Sequence, residues 1–178
     1  MEKNRLISSE TVYKGRIINV KNDVIEFERG KQGVREIVVH GGAAAIVAVD
    51  RDGKLLFVRQ YRHSTGKEVL EIPAGTLEKG EDPDICAVRE LEEETGYKAG
   101  KISFLIKFYS AIGFCTEVLH IYLAEDLEEG HVNFDEDEYI ELERYSLDET
   151  VDMIFKGEII DSKTIASVLA YKELLNRR

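Results

Sequence analysis

The stretch GTLEKGEDPDICAVRELEEETGY, Gly75 to Tyr97, carries the strongest structural signal in this chain. Its pattern predicts a helix from about Glu81 to Thr95. Gly96 is expected to end this helix, because glycine readily adopts the left-handed backbone found at helix C-termini. Four of the five residues from Glu90 to Glu94 are glutamates, and like charges one helical turn apart repel each other. The helix therefore needs compensating positive charge.

Two interpretations of this acidic cluster remain open. Glu90, Glu93 and Glu94 share one helix face, and Arg89 is spaced to pair with Glu93, but one arginine cannot balance three carboxylates. The face is either a solvated surface or a set of hard oxygen ligands for Mg²⁺, Mn²⁺ or Ca²⁺. The absence of lysine between residues 81 and 97 favours the ligands. The apolar residues expected to face the core are Ala87, Val88 and Leu91.

Composition excludes several classes of protein. The net charge is −11, and the basic residues are scattered, whereas a nucleic-acid binder normally carries a basic patch. The longest apolar run, Ala43–Val49, is far shorter than the roughly 20 residues that span a membrane. The first ten residues contain no apolar core of a signal peptide. Cys86 and Cys115 form no CxxC pair, so we expect two reduced thiols in a cytoplasmic protein.

The N-terminal part predicts a small antiparallel β unit. Residues 11–40 have an extended pattern, with Arg16–Phe27 and Val34–His40 flanking a turn at Glu28–Gly33. A unit of two or three strands buries little by itself, so we expect it to pack on the rest of the chain or on a partner subunit. The expected domains are 1–40 for this unit and 41–178 for the remainder.

The remainder predicts alternating strands and helices. Ala43–Val49 and Lys54–Tyr61 are expected to form a hairpin, and Asp161 or Ser162 is expected to cap the last helix. The irregular alternation favours a mixed sheet between helices. The other predicted strands are Glu68–Ile72, Ile102–Ser110, Val118–Glu125 and Tyr139–Tyr145. The predicted helices are Leu147–Phe155 and Asp161–Leu175.

The stretch from Gly75 to Tyr97 resembles the Nudix box, G-x5-E-x7-R-E-U-x-E-E-x-G-U, in which U is a large aliphatic residue. Both spacers and every fixed position match, except that Tyr97 occupies the last aliphatic position. The resemblance implies an α/β/α Nudix sandwich with a mixed sheet and an N-terminal antiparallel appendage. It also implies metal-dependent hydrolysis of a nucleoside diphosphate linked to another moiety.

The resemblance also implies roles for individual residues. Arg89 would orient the glutamates, Glu81 would brace the loop, and Glu93 would be a further metal ligand or a nearby base. The cofactor would be Mg²⁺, with Mn²⁺ as a possible substitute and more than one ion in each site. The implied metal ligands are Ala74 (through its carbonyl), Glu90, Glu94 and Glu93.

Features outside the box resemble the ADP-ribose pyrophosphatase branch of the family. In those dimers an N-terminal strand unit completes the site of the partner subunit. Within VRQYR, residues 58–62, Arg62 corresponds to an arginine that contacts the substrate phosphates, and Arg35 resembles a second substrate arginine. The guanidinium fork suits phosphate oxygens.

Two further segments resemble functional loops of that branch. Ser110–Glu117 matches a substrate loop at Gly113 and Glu117, and the resemblance implies that Glu117 holds ribose hydroxyls. Ile112 stands where ADP-ribose enzymes typically carry proline. In the acidic segment 133–138, Glu136 and Glu138 match an E-x-E loop that supplies a base or a late metal ligand. The base would be Glu93, Glu136 or Glu138.

The resemblance therefore implies a homodimeric enzyme that converts ADP-ribose and water to AMP and ribose 5-phosphate. The missing proline leaves other nucleoside-diphosphate sugars open as substrates, such as GDP-mannose or ADP-glucose. A non-catalytic nucleotide sensor built on the same fold is a further alternative. Such relatives generally have a degraded box, whereas this box keeps every charged position.

Overall fold

The structure, a computed structural model, describes residues 4–130 and 140–177. The chain divides into two compact units. One unit contains Met1–Gly42 together with Tyr109–Val118, and the other contains Ala43–Phe108 together with Leu119–Arg178. The N-terminal strands therefore share their unit with a short segment from the second half of the chain.

The central strand of the second unit is β4 (Ala43–Ala48), in which every residue is buried. Successive residues of a strand point to opposite faces of the sheet. The odd-numbered residues of β4 pack in one hydrophobic cluster with Val151 and Val168. The even-numbered residues pack in a second cluster with Ala87 and Leu91. Helices thus cover both faces of β4, which confirms the predicted α/β/α sandwich.

The other strands are β1 (Arg5–Lys14), β2 (Ile18–Glu26), β3 (Gln32–His40), β5 (Leu55–Arg62), β6 (Lys67–Glu71), β7 (Ala74–Thr76), β8 (Tyr97–Tyr109), β9 (Val118–Glu129) and β10 (Ile140–Tyr145). The strands of the described residues form three sheets. The N-terminal sheet is antiparallel, as predicted, and has the order β1-β2-β3. The others have the orders β10-β5-β6 and β7-β4-β9-β8. β4 runs parallel to β9 and antiparallel to β7, so its sheet is mixed.

The prediction that Ala43–Val49 and Lys54–Tyr61 form a hairpin is wrong. Among the described residues the two segments share a single isolated bridge, from Val49 to Leu55, and then enter different sheets. β4 pairs instead with β7 and β9. The pairings of β4 join strands that lie far apart in the sequence, so the turn at residues 50–53 could not predict them.

Helix α1 spans Pro83–Thr95 and ends at Gly96, as predicted. Gly96 has a left-handed backbone with φ of 72°, and its N–H donates to the carbonyl of Glu92 at 2.8 Å. The helix begins after the predicted Glu81 because Pro83 occupies its first turn. A proline costs no helical hydrogen bond there, since that N–H has no partner within the helix.

The buried face of α1 differs from the prediction at one residue. Ala87 and Leu91 are fully buried, but Val88 is 44% exposed, so the prediction that Val88 faces the core is wrong. Ala87 and Leu91 lie four residues apart and share a face, whereas Val88 is rotated from Ala87 by about 100° around the helix axis.

The C-terminal part forms helices α2 (Leu147–Lys156) and α3 (Ser162–Asn176). α2 begins with a capping box between Ser146 and Glu149. Asp161 caps α3 by accepting the backbone N–H of Thr164 at 2.9 Å. Of the two predicted capping residues, Asp161 and Ser162, the structure therefore has Asp161. Within residues 4–130 and 140–177, no helix is long and apolar enough to cross a membrane.

We expect Leu91→Ala to lower the free energy of unfolding by about 2–5 kcal/mol, because it empties a fully buried position beneath α1. Urea unfolding followed by circular dichroism measures the loss. Val88→Ala is the matched control on the same helix and should change stability by about 0.5 kcal/mol or less. Equal losses in the two variants would contradict the packing described above.

Candidate active site

Arg89 lies at the centre of the glutamate cluster. Its Nε and Nη2 donate to the two carboxylate oxygens of Glu81, each at 3.0 Å. Its Nη1 donates to Glu90 at 2.6 Å and to Glu93 at 2.9 Å. One guanidinium therefore contacts three carboxylates and holds them in a fixed arrangement. It balances only one of their charges, so the group remains negative.

Glu81 ties the loop before α1 to the helix. Besides its pair with Arg89, it accepts the backbone N–H of Glu78 at 2.9 Å. The hydrogen bonds from Arg89, with help from the Glu78 N–H, lower the pKa of Glu81 from 4.5 to about 2. Glu81 is therefore ionised at neutral pH and gives Arg89 a permanent counter-charge.

Gly75, the first residue of the box, makes room for Glu90. A Cβ atom added at Gly75 would overlap the carboxylate of Glu90. The backbone of Gly75 does not have a positive φ. Glycine is therefore needed at this position for space and not for a left-handed turn, and a larger residue would displace Glu90.

Glu94 differs from the other box carboxylates in its burial. The residue is 5% exposed, and its Oε2 accepts the backbone N–H of Ala74 at 2.9 Å. A buried carboxylate is costly unless it receives hydrogen bonds, so this contact offsets part of the cost of burying Glu94. It also brings together Ala74 and Glu94, two of the predicted metal ligands.

The donor atoms of the box are oxygens, the type of ligand that suits a divalent cation such as Mg²⁺. Glu90, Glu93, Glu94 and the Ala74 carbonyl supply hard oxygen ligands, which Mg²⁺ and Ca²⁺ prefer. In this structure Glu90 and Glu93 accept hydrogen bonds from Arg89, and Glu94 accepts the Ala74 N–H. In the part of the chain that the structure describes, no three His, Cys, Asp or Glu side chains are grouped to hold a metal ion.

Tyr97, which departs from the aliphatic residue of the Nudix pattern, has a polar partner. Its hydroxyl accepts a hydrogen bond from Arg144 Nη2 at 2.7 Å. The guanidinium carbon of Arg144 also lies 5.7 Å from the centre of the Tyr97 ring, which is cation–π distance. Because Tyr97 is the first residue of β8 and Arg144 belongs to β10, the pair links these two strands.

Arg62, the last residue of β5, pairs with a residue that the sequence analysis did not single out. Its Nε and Nη2 donate to the two oxygens of Glu71 at 2.8 and 3.0 Å. Lys163, which lies 92 residues after Glu71 in the chain, donates to the same carboxylate. No spacing in the sequence connects these residues. The available signal was a glutamate, Glu71, between the apolar residues Leu70 and Ile72.

Arg35 lies on an exposed part of the N-terminal sheet. Its guanidinium carbon is 5.2 Å from the centre of the Phe27 ring, and its Nη1 donates to the carbonyl of Val34 at 3.0 Å. These contacts hold the long side chain against its own sheet, which reduces the entropy lost when the guanidinium binds an anion.

The loop from Ser110 to Glu117 pairs with the N-terminal sheet. The N–H of Val38 donates to the carbonyl of Phe114 at 2.8 Å, and the N–H of Thr116 donates to the carbonyl of Val38 at 2.9 Å. Gly113 has open space where a Cβ would lie. Nothing within this unit therefore requires glycine at residue 113 for steric reasons.

Glu117 and Ile112 occupy different environments in this loop. Oε1 of Glu117 lies 3.4 Å from Nδ1 of His40, which itself accepts the N–H of Gly42 at 3.0 Å. His40 thus packs within this unit, beside a predicted substrate residue. Ile112, which replaces the expected proline, is 80% exposed.

Glu136 and Glu138 lie outside the described residues. Their roles as base or late metal ligand stay predictions, as do the catalytic and binding roles of the other candidate residues.

Comparison with known proteins identifies the family. The NUDIX domain model matches residues 39–168. A methanol dehydrogenase activator of Bacillus methanolicus is 42% identical over 92% of this chain and 90% of its own. An ADP-ribose pyrophosphatase of Bacillus subtilis is 40% identical over 96% of this chain and 95% of its own. A solved ADP compounds hydrolase matches with a TM-score of 0.88 and 26% identity, over 99% of this chain and 96% of that one.

The chain therefore belongs to the Nudix family. Family membership and the intact box make it a hydrolase of pyrophosphate bonds. Enzymes of this family generally need divalent metal ions, which agrees with the oxygen donors on α1 and in the preceding loop.

We expect the Arg89–Glu81 pair to stabilise the fold above pH 4.5 and to lose this effect as the pH falls toward about 2. The folded-state pKa of Glu81 lies below its unfolded value, so the unfolded state binds the proton first. Denaturant unfolding of wild type and Glu81→Gln over this pH range measures the effect. The difference in stability should be largest near neutral pH and shrink in acid.

Glu92→Gln is the control for this experiment, because Glu92 forms a surface pair with Lys98 that contributes little to stability. A difference in unfolding free energy between wild type and Glu81→Gln that stays constant across the pH range would contradict the lowered pKa of Glu81.

Proposed function

We propose that this enzyme hydrolyses ADP-ribose to AMP and ribose 5-phosphate with Mg²⁺, or with Mn²⁺ as a substitute. The observation that carries the proposal is the Arg89 cluster, in which one guanidinium gathers Glu81, Glu90 and Glu93 beside the buried Glu94. The Bacillus subtilis relative, an ADP-ribose pyrophosphatase, supports ADP-ribose as the substrate.

The metal ligands in this proposal are the Ala74 carbonyl, Glu90 and Glu94, which would hold more than one ion, and Glu93 is either a further ligand or the nearby base. Bound divalent ions supply charge screening for the diphosphate and lower the pKa of a water molecule. Arg89 keeps the carboxylates in place through its contacts with Glu81, Glu90 and Glu93. Since these glutamates exceed the charge of Arg89, the site favours cations over additional anions.

The proton of the attacking water passes to Glu93, Glu136 or Glu138. Glu93 is supported by its exposure: its side chain is 36% accessible, compared with 12% for Glu90, so water reaches it without a rearrangement. Glu136 and Glu138 are supported by their match to the E-x-E loop of similar enzymes. A general base must lie within hydrogen-bond reach of the water. The base is therefore whichever of the three carboxylates meets this distance when substrate is bound.

The substrate phosphates bind Arg62, with Arg35 as a second substrate arginine. Guanidinium N–H groups form charge-assisted hydrogen bonds with phosphate oxygens, and arginine keeps its charge at every physiological pH. Glu117, in the same loop as Gly113, accepts hydrogen bonds from ribose hydroxyls. Its position beside His40 supports this role, because a packed neighbour limits the rotamers of the carboxylate.

The enzyme acts as a homodimer through its N-terminal strand unit, residues 1–40, which completes the site of the partner's catalytic domain, residues 41–178. All residues of β1 are exposed within the chain, which is unusual for a strand with apolar residues on both faces. The apolar residues, each 41–56% exposed, are Leu6, Ile7, Val12 and Tyr13. A second copy that covers them would remove this surface from water.

We expect the double variant Leu6→Glu, Val12→Glu to shift the protein from dimer to monomer, because it places charges in the proposed interface. Sedimentation measures the mass, and the KM for ADP-ribose should rise with dissociation. Phe155→Glu is the control, since Phe155 is 80% exposed on α2, outside the N-terminal strands, and should leave the dimer intact. A monomeric wild type would overturn the proposal.

The alternative substrates are other nucleoside-diphosphate sugars, such as GDP-mannose or ADP-glucose. The exposed Ile112 in place of proline favours keeping this alternative, because it changes the loop that also carries Glu117. A panel that compares kcat/KM for the three compounds decides between them. AMP and ribose 5-phosphate that form only when Mg²⁺ is present exclude a non-catalytic nucleotide sensor, which would bind ADP-ribose without cleaving it.

We expect Glu94→Gln to reduce kcat by about a hundredfold or more, since it removes one charge from the metal ligands and such charge stabilisation is worth several kcal/mol. The fold should persist, because glutamine can still accept the Ala74 N–H. Glu92→Gln, on the same helix but outside the fixed box positions, is the control and should retain kcat. Wild-type turnover in Glu94→Gln would contradict the role of Glu94.

A further inference from the structure

The Arg62 guanidinium is fixed in its plane by Glu71. The two hydrogen bonds between them join Nε to Oε1 and Nη2 to Oε2, which is the fork-to-fork geometry of a strong arginine–carboxylate pair. The pair does not involve Nη1. If Glu71 stays in place, the direction of Nη1 is therefore set as well.

Glu71 is anchored in turn by Lys163. The Glu71 side chain is 5% exposed, and Lys163 Nζ donates to Oε2, the oxygen that Arg62 Nη2 also contacts. Lys163 is 13% exposed and also bonds to Asp161 at 3.0 Å. A nearly buried carboxylate is costly unless it is well compensated. Here two cations from different parts of the chain compensate it.

The charges in this group stabilise one another. Burial by itself raises the pKa of Glu71, but the hydrogen bond from Arg62 and the charge of Lys163 outweigh it, so the pKa lies below its ordinary value. Glu71 raises the pKa of Arg62, and Glu94 of the Nudix box adds to this effect. Arg62 is therefore within electrostatic reach of the box as well as of Glu71.

The first turn of α3 holds Lys163 in position. Asp161 caps the helix at Thr164, and the Thr164 hydroxyl oxygen accepts the backbone N–H of Ile72 at 2.9 Å. Thr164 is fully buried. Since Ile72 follows Glu71 directly, one helix end fixes both the backbone and the carboxylate that lie behind Arg62.

We propose that Lys163 is a positioning residue, which locks the Glu71 carboxylate so that Arg62 is aimed at the phosphates of a nucleoside diphosphate. This inference rests on the proposed function, in which Arg62 contacts those phosphates. Lys163 itself does not touch the substrate. Without its charge, Oε2 of Glu71 keeps a single cationic partner, and the carboxylate and guanidinium are free to reorient together.

The effect should fall on KM. A guanidinium that contacts the phosphates in both the ground state and the transition state contributes uniform binding, so misplacing it raises KM and leaves kcat nearly unchanged. Lys163→Met keeps most of the side-chain volume and removes the charge. We expect it to raise the KM for ADP-ribose about tenfold, within the usual range of coupling between contacting residues.

A double-mutant cycle separates positioning from a general structural role. Steady-state kinetics with ADP-ribose and Mg²⁺ are measured for wild type, Lys163→Met, Arg62→Met and the double variant. Lys163→Met should have no further effect on KM when Arg62 is already replaced, because it acts through that residue. Lys163→Arg should restore most of the wild-type KM. An equal effect of Lys163→Met in both backgrounds, or no effect at all, overturns the inference.

Lys172→Met is the matched control, because Lys172 lies on the same helix and pairs with the exposed Asp148 at 3.6 Å. It should leave KM and kcat unchanged. If wild type cleaves another nucleoside diphosphate but not ADP-ribose, the proposed substrate is wrong, and the same cycle with the cleaved compound still decides the role of Lys163. If wild type cleaves none, both proposals are overturned.

Discussion

The contact between Arg89 and three glutamates is the interaction on which the proposed chemistry depends. Glutamates crowded along one helical turn repel each other, so their arrangement needs a cation close to several of them. Arg89 reaches Glu81 in the loop as well as Glu90 and Glu93 on α1, which joins the two parts of the box. Gly75 contributes by leaving the space that the Glu90 carboxylate occupies.

A second set of paired charges lies where β6 leads into the box. Glu71 holds Arg62 and Lys163, while the N–H of Ala74, three residues later, holds Glu94. Buried charges of this kind cost free energy unless every member is paired, and removing one partner exposes the others to that cost. The short segment between Glu71 and Ala74 thus connects the proposed phosphate arginine with a proposed metal ligand.

The sequence predicted those features that short-range patterns determine. The pattern of the box predicted a helix that ends at Gly96, and the apolar run Ala43–Val49 predicted a strand at the position of β4. The β4–β5 hairpin was wrong because the true partners of β4 lie far away in the sequence. The inward orientation of Val88 was wrong because α1 buries a narrower stripe than its apolar residues indicate. Lys163 was missed because only the folded chain brings it to Glu71.

Crystals of the enzyme with Mn²⁺ and a non-hydrolysable ADP-ribose analogue provide the most direct measurement, because anomalous scattering locates the metal independently of the protein. The account predicts anomalous peaks in contact with carboxylate oxygens of Glu90 and Glu94 and with the diphosphate of the analogue. Analogue bound with no peak at these glutamates, or with manganese only elsewhere in the molecule, would contradict the claim that the α1 carboxylates hold the catalytic metal.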